Sequence, residues 1–154
     1  MRRAVATAMI GMAVTTAAVG VTTASGASGS ATETFTLIGH ETAFHVVDNG
    51  PKGDSANDIG TMSGTLFRDG RHVGRYLADC IQTDGSGHSL CRFVLALPGG
   101  LLVLETGYGT GVNGDRLVHE AIVGGTGTYA GATGYTDGTE TGRTTIKEVI
   151  HLLH

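Results

Sequence analysis

The chain has 154 residues, 26 of them glycine and only two proline, and a formal net charge of −4. The mildly acidic balance argues against a nucleic-acid or anionic-membrane partner, and the absence of tryptophan leaves few rings on which bases would stack. Abundant glycine and threonine predict short strands and tight turns rather than helices.

The N-terminal segment 1–31 has the pattern of a secretory signal peptide with a short linker. Arg2 and Arg3 are followed by apolar and small residues as far as Val21, and small residues suited to cleavage come next. No stop-transfer pattern follows, so we expect a secreted, extracellular protein without a membrane anchor. The remaining residues, 32–154, have the usual length of one domain.

Runs with strand character recur at close spacing after this segment. They are Glu33–Ile38, Ala43–Asp48, Ile59–Phe67, His72–Gln82, His88–Leu97, Leu101–Thr106, Arg116–Val123 and Thr141–Leu153. Turn-forming pairs such as Asp69-Gly70, Gly99-Gly100 and Asp137-Gly138 separate them. Eight short strands with hairpin-length connections predict an all-β fold, a single eight-stranded antiparallel β-barrel, which closes on itself and leaves no exposed edge.

One predicted hairpin also indicates which side chains face inward. The centre of Asp84-Gly85-Ser86-Gly87 is equally distant from Cys80 and Cys91, so symmetric pairing sets the two cysteines opposite each other. Their face is apolar, whereas the other face brings Asp79 opposite Arg92 as an ion pair. The inward-facing residues are then Gly74, Tyr76, Ala78, Phe93, Leu95 and Leu97.

The same register predicts a disulfide between Cys80 and Cys91. Directly opposite residues on neighbouring antiparallel strands are close enough for the bond, and an exported protein meets an oxidising environment. Two free thiols or a metal-binding pair are the alternatives. The seven histidines form no His-x-His ladder, so no metal site is predicted.

A glycine-dense corner follows the seventh run. The segment Ala121–Gly134 reads Ala-Ile-Val-Gly-Gly-Thr-Gly-Thr-Tyr-Ala-Gly-Ala-Thr-Gly, and glycine is needed where the backbone adopts positive φ or passes close to another backbone. With Gly53-Asp54 and the Leu-Phe-Arg-Asp-Gly-Arg-His-Val-Gly run of Leu66–Gly74, it resembles the signatures of the allene oxide cyclase and dirigent families. The resemblance spans roughly 53–134 and implies a calycin-type barrel around a lumen.

The active residues of those families are not matched. Plant allene oxide cyclases place a carboxylate and an asparagine on an early strand, and Ala43–Asn49 shows no clear equivalent. Dirigent proteins commonly have arginine where this chain has Thr133. The resemblance therefore implies the barrel more strongly than either activity.

An eight-stranded barrel either is filled by its own side chains or holds one small ligand. We expect a mostly apolar pocket whose predicted lining residues are Tyr76, Ala78, Phe93, Leu95, Leu97 and Leu104. Leu104 faces inward if Gly99-Gly100 forms a two-residue turn, whereas a three-residue turn that includes Pro98 would turn Glu105 inward instead. A simply packed core is the alternative to the pocket.

Tyr76, Glu105 and His119 are the candidates for chemistry. The Tyr76 hydroxyl could polarise a ligand carbonyl or simply bond a neighbouring one. An inward Glu105 would have a raised pKa and could act as acid or base, although solvent exposure is the simpler interpretation. His119 and Glu120 are adjacent on one strand, so only one of them can face the lumen, and a structural histidine is the simpler interpretation.

Three functions fit these observations. The pocket could fold a hydrophobic substrate for cyclisation or stereoselective coupling, as a cofactor-independent cyclase or isomerase. It could instead bind a small hydrophobic molecule without chemistry, or the barrel could be a plugged structural protein, with apolar residues on Ile59–Phe67 and Arg116–Val123 suited to a homo-oligomer. No phosphate loop, dinucleotide fingerprint or nucleophile elbow stands between a predicted strand and helix, so no cofactor is predicted.

Overall fold

In a computed structural model, which describes residues 32–108 and 117–153, the strands follow one another around a closed antiparallel barrel. They are β1 (Thr32–Val47), β2 (Ile59–Arg68), β3 (Arg71–Gln82), β4 (Ser89–Leu97), β5 (Gly100–Tyr108), β6 (Leu117–Gly125), β7 (Thr133–Gly142) and β8 (Thr145–Leu153). Each strand pairs with its neighbours in the chain, and β8 pairs with β1. The predicted eight-stranded barrel is confirmed.

The predicted signal peptide, residues 1–31, lies outside the described residues, as do Arg116 and His154. Within the two described ranges, no helix is long and apolar enough to cross a membrane.

β1 is one long strand where the sequence predicts two, Glu33–Ile38 and Ala43–Asp48. A β-bulge between Glu41 and Ala43 lets the strand bend without ending. As a result, the first part of β1 pairs with β8 and the second part pairs with β2. The polar stretch between the two predicted runs belongs to the strand.

β7 is the strand that the prediction misses, because Asp137-Gly138 has the composition of a turn. The Asp137 carboxylate instead pairs with Nδ1 of His119 at 2.8 Å and with Nε2 of His151 at 3.2 Å. The dipeptide is held extended inside the sheet by pairing with both neighbouring strands, β6 and β8. The predicted closing strand Thr141–Leu153 is correspondingly split by the β7–β8 turn.

The β3–β4 hairpin has the predicted register, with Cys80 opposite Cys91 and Tyr76 opposite Leu95. The two cysteines form the predicted disulfide. One detail of the outer face is wrong: Arg92 pairs with Glu105 on β5, with 3.2 Å between Nη2 and Oε1, and not with Asp79.

The interior of the barrel is filled at one end, which we call the packed end. It lies where β1 begins and β8 finishes, and its buried side chains are Phe35, Leu37, Leu66, Leu95, Leu102, Ile122, Ala132, Ile150 and Leu152. Burial of this much apolar surface is the main source of stability in a small domain. The other end, where the loops 48–58 and 83–88 and the β7–β8 turn lie, we call the mouth end.

The glycine-dense corner closes the packed end. A single 3-10 turn, Gly127–Tyr129, lies between β6 and β7, and its backbone N–H at Thr128 donates to the Gly99 carbonyl at 2.9 Å. Gly127 has φ of 62°, and a Cβ there would collide with the same carbonyl oxygen. Glycine is therefore required where two backbones meet.

Candidate functional site

A cavity of about 610 Å³ occupies the mouth end of the barrel, above the packed core. Its wall is largely apolar, with Leu37, Val46, Met62, Leu66, Tyr76, Phe93, Leu95, Leu104, Val118 and Ile146 among the lining residues. Its volume lies in the range of small-molecule sites, which are typically apolar with a few polar groups. The barrel thus has a core of packed side chains at one end and a cavity at the other.

The structure places four of the predicted lining residues on the cavity wall: Tyr76, Phe93, Leu95 and Leu104. Ala78 is buried but lines a smaller hollow beside Met62 and Leu77. Leu97 packs against the core at the packed end. Both face inward as the hairpin register requires, yet neither is a lining residue of the cavity.

The orientation of β5 is decided by the length of the turn before it. Leu97 pairs with Gly100, so the turn has two residues, Pro98 and Gly99, rather than the predicted Gly99-Gly100. The turn begins one residue earlier than predicted, so each β5 residue pairs two positions away from its expected partner on β4. A displacement by two residues keeps every side chain on the same face, and Leu104 therefore points inward. Glu105 points outward, where it pairs with Arg92.

His119 also lies on the outer face, where its ring pairs with Asp137. Because adjacent residues of a strand face opposite sides, Glu120 points into the barrel and is only 3 % exposed. Of the three predicted catalytic candidates, the structure brings only Tyr76 to the cavity. Glu105 and His119 lie on the outer face in ion pairs, which agrees with the simpler interpretation of each, and a catalytic role for Tyr76 stays a prediction.

Two buried glutamates face the lumen from β6 and β8. Thr136 on β7 lies between them, fully buried, and its hydroxyl donates to Oε2 of Glu120 at 3.3 Å. Burial raises the pKa of Glu120 to about 7. Burial, and then the negative charge of Glu120, raise the pKa of Glu148 to about 8. The pair therefore retains protons near neutral pH.

Gly138 makes the room that the Glu148 carboxyl occupies. The two residues are paired across β7 and β8, and a Cβ at Gly138 would lie 2.6 Å from Oε1 of Glu148. Oε2 of Glu148 has no hydrogen-bond partner among the residues that the structure describes. The carboxyl group thus lies at the cavity wall, although its Oε2 is itself covered.

Tyr76 is the third polar group of the interior. The residue is buried on β3, and burial together with the nearby Glu41 carboxylate raises the pKa of its hydroxyl to about 12. The phenol is therefore a neutral hydrogen-bond donor at all physiological pH values. Glu41 itself lines the cavity at the bulge of β1.

The loop 48–58 at the mouth is held by Asp58. Its carboxylate accepts backbone N–H groups of Asn49 and Ser55, both at 2.8 Å, and these bonds lower its pKa. Arg143 brings a positive charge to the rim from the β7–β8 turn. Asp58 thus stabilises the loop, whereas Arg143 lines the opening of the cavity.

The β3–β4 turn contains serine, histidine and aspartate together, but not as a catalytic triad. Nδ1 of His88 contacts both Asp84 Oδ2 at 2.9 Å and Ser86 Oγ at 2.7 Å. A triad uses opposite ring nitrogens for the carboxylate and the nucleophile. The hydrogen bonds from Ser86 also lower the pKa of Asp84, as expected for a turn-stabilising carboxylate.

Glu148 is a site residue that the sequence analysis does not single out, and Glu120 is named there only as the alternative to His119. A signal for Glu148 was present, since Ile146, Ile150 and Leu152 share its side of the closing strand. For Glu120 the two faces of the strand are equally apolar in sequence, and only the pairing of β6 with β7 decides between them.

Comparison with known proteins supports the fold. No protein-family model and no curated protein sequence matches the chain. Among solved structures, a pyocyanin demethylase is similar at 23 % identity, covering 77 % of this chain and 99 % of that one, with a TM-score of 0.67. The chain has the dirigent-like barrel fold. A pterocarpan synthase dirigent protein is similar over 81 % of this chain and 89 % of its own, at 16 % identity and a TM-score of 0.67.

The barrel is also similar to AbnU, an exo-specific intermolecular Diels-Alderase. The match covers 80 % of this chain and 99 % of that protein, at 14 % identity and a TM-score of 0.60. The predicted resemblance to dirigent-like barrels is therefore confirmed for the fold.

Proposed function

We propose that this barrel binds a small, largely apolar molecule in the mouth-end cavity and guides its cyclisation or coupling. The observation that carries the proposal is the cavity of about 610 Å³, whose exposed wall is mostly apolar. The structurally similar proteins include a pterocarpan synthase dirigent protein and a Diels-Alderase, which supports a role in small-molecule chemistry.

Catalysis in such a site rests on confinement. A flexible substrate held against Phe93, Leu95 and Leu104 loses conformations that do not lead to the product, and water is kept from the reacting atoms. The neutral Tyr76 hydroxyl, which lies on the same wall, can donate a hydrogen bond to a ligand oxygen. No cofactor takes part in this proposal.

The proposal includes export from the cell. The disulfide between Cys80 and Cys91 is typical of oxidising compartments, and residues 1–31 have the composition of a signal peptide. The homo-oligomer expected from Ile59–Phe67 and Arg116–Val123 remains part of the proposal. Exposed apolar side chains that could serve it are Val123 on β6 and, on strands that the sequence did not point to, Leu77, Ile81 and Leu90.

Two tryptophan substitutions on β6 test the cavity as the binding site. Val118 lines the cavity, whereas Val123 is half exposed on the outer face of the same strand. We expect Val118→Trp to weaken binding of the neutral probe 9-methylanthracene by about ten-fold or more, because the indole occupies the probe's space, and Val123→Trp to leave it unchanged. Fluorescence titration measures both, with thermal unfolding as a check on folding.

Equal binding by Val118→Trp and the parent would exclude the cavity as the site. Catalysis is tested separately. Polyene or quinone-methide substrates are incubated with the protein, and their products are separated by chiral chromatography. A shift in product stereochemistry supports guidance of the reaction. Tight binding with an unchanged product distribution would show that the protein binds the molecule without guiding its reaction.

A further inference from the structure

We infer that the molecule held in this cavity carries a positive charge on an otherwise apolar body, as a protonated amine or a cationic aromatic nitrogen does, and that Glu148 and Glu120 receive that charge. The inference rests on the proposed function, because it names the class of ligand for the same cavity.

The first observation is that the Glu148 carboxyl group lacks a full set of hydrogen-bond partners. The residue is 7 % exposed and lines the cavity, and its Oε2 has no hydrogen-bond partner among residues 32–108 and 117–153. Its neighbours across the sheet are Leu37 on β1 and Gly138 on β7, neither of which offers a side-chain donor. Buried polar atoms are normally paired, so an incompletely paired carboxyl group at the cavity wall points to a donor on the ligand.

The second observation is the sign of the charge around the cavity. Among the described lining residues, one guanidinium, that of Arg143, faces six carboxyl groups: Glu41, Asp54, Asp58, Glu120, Glu140 and Glu148. A low-dielectric cleft lined by one sign of charge concentrates ligands of the opposite sign. An anionic ligand would have to enter against this field, and a neutral one would leave Glu148 without a charged partner above about pH 8, where it loses its proton.

Thr136 makes the two glutamates one unit. Its hydroxyl donates to Glu120 Oε2 at 3.3 Å, and a hydrogen bond from the same hydroxyl also lowers the pKa of Glu148. One hydrogen cannot satisfy both carboxyl groups, so one of them depends on its own proton or on a ligand. A cation placed between the two carboxyls would favour their ionised forms and release protons as it binds. The surrounding apolar wall would hold the rest of the molecule.

Affinity for a cation should therefore rise with pH. The pKa of Glu120 is raised to about 7 and that of Glu148 to about 8, so both groups lose their protons between about pH 6 and pH 9. The other charged or titratable groups facing or acting on the pair are Glu41 on β1, Tyr76 on β3, Asp137 and Glu140 on β7, and Arg143 in the β7–β8 turn. Burial and Glu41 keep Tyr76 neutral throughout this range.

Two probes of the same three-ring shape test the inference. The permanent cation 10-methylacridinium and the neutral 9-methylanthracene do not titrate between pH 6 and pH 9, so any pH dependence comes from the protein. We expect the ratio of cation affinity to neutral-probe affinity to rise about ten-fold or more from pH 6 to pH 9. Calorimetry in buffers of different ionisation enthalpy should show proton release when the cation binds at pH 7.

Substitutions of single glutamates test which residues cause the pH-dependent change in the affinity ratio. Glu148→Gln keeps the shape of the protonated side chain, and we expect it to lower the affinity ratio at pH 8.5 by about ten-fold. Glu120→Gln should lower it as well, by a smaller factor. Glu105→Gln removes a carboxylate from the outer face and is the matched control, with an unchanged ratio.

The outcomes separate the two proposals. A ratio that neither pH nor Glu148→Gln changes would overturn the cationic ligand, while binding of 9-methylanthracene sensitive to Val118→Trp would still support the cavity. If neither probe binds at any pH, the proposed function fails and the inference fails with it.

Discussion

The packed end and the mouth end of this barrel are built by the same strands but by different residues. On β8, Ile150 and Leu152 are fully buried at the packed end, and one step toward the mouth the inward position is Glu148. On β6, Ile122 is followed in the same direction by Glu120. The packed end thus supplies the burial energy that lets the mouth end keep a cavity and two buried carboxyls.

The largest expected effect contrasts one leucine with one valine. Leu102 is fully buried at the packed end, so Leu102→Ala should lower the free energy of unfolding by about 3–5 kcal/mol, whereas Val118→Ala at the cavity wall should cost under about 1 kcal/mol. Urea denaturation with a shared m-value measures both. Equal losses would mean that the mouth end is packed as tightly as the other.

The next prediction concerns the pH dependence of stability. The folded-state pKa of Glu148 is raised to about 8 from its ordinary value of 4.5, so the folded chain keeps a proton that the unfolded chain has lost. The contribution of protonated Glu148 to the free energy of unfolding is therefore fully present below about pH 4.5 and is lost as the pH rises to about 8. Glu148→Gln should equal the parent near pH 4 and exceed its stability by on the order of 5 kcal/mol at pH 9.

Chemical denaturation at fixed pH values from 4 to 9 tests this difference. Glu105→Gln is again the control, because its exposed ion pair with Arg92 should contribute under about 1 kcal/mol. Parallel pH profiles of the parent and Glu148→Gln would show that Glu148 is ionised at neutral pH in the folded protein.

The smallest effect is expected from the disulfide at the mouth end. The bond between Cys80 and Cys91 closes a short loop, with a sequence separation of 11. Replacing both cysteines by alanine should lower the free energy of unfolding by roughly 2–3 kcal/mol, since the unfolded chain gains freedom. Parent protein treated with a thiol reductant should show the same loss, and an unchanged denaturation midpoint in either sample would contradict the prediction.

The β3–β4 hairpin could be predicted from the sequence because its faces differ strongly in polarity and its cysteines are symmetric about the turn. A one-residue slip would expose an apolar face, so this pattern allows few registers. β7 could not be predicted in the same way, because Asp137-Gly138 is locally indistinguishable from a turn. It is extended because it pairs with β6 and β8 on its two sides, and these strands are distant from the dipeptide's local sequence.

The sequence by itself determined the all-β class, the closed barrel and the inward face of Tyr76 and Phe93, because strand alternation and turn residues act over short distances. Only the tertiary structure decided that Glu120 and not His119 faces the lumen, and that Glu148 joins it across Thr136. The reason is physical: both sides of β6 are equally apolar, so strand pairing around the whole barrel selects the buried side.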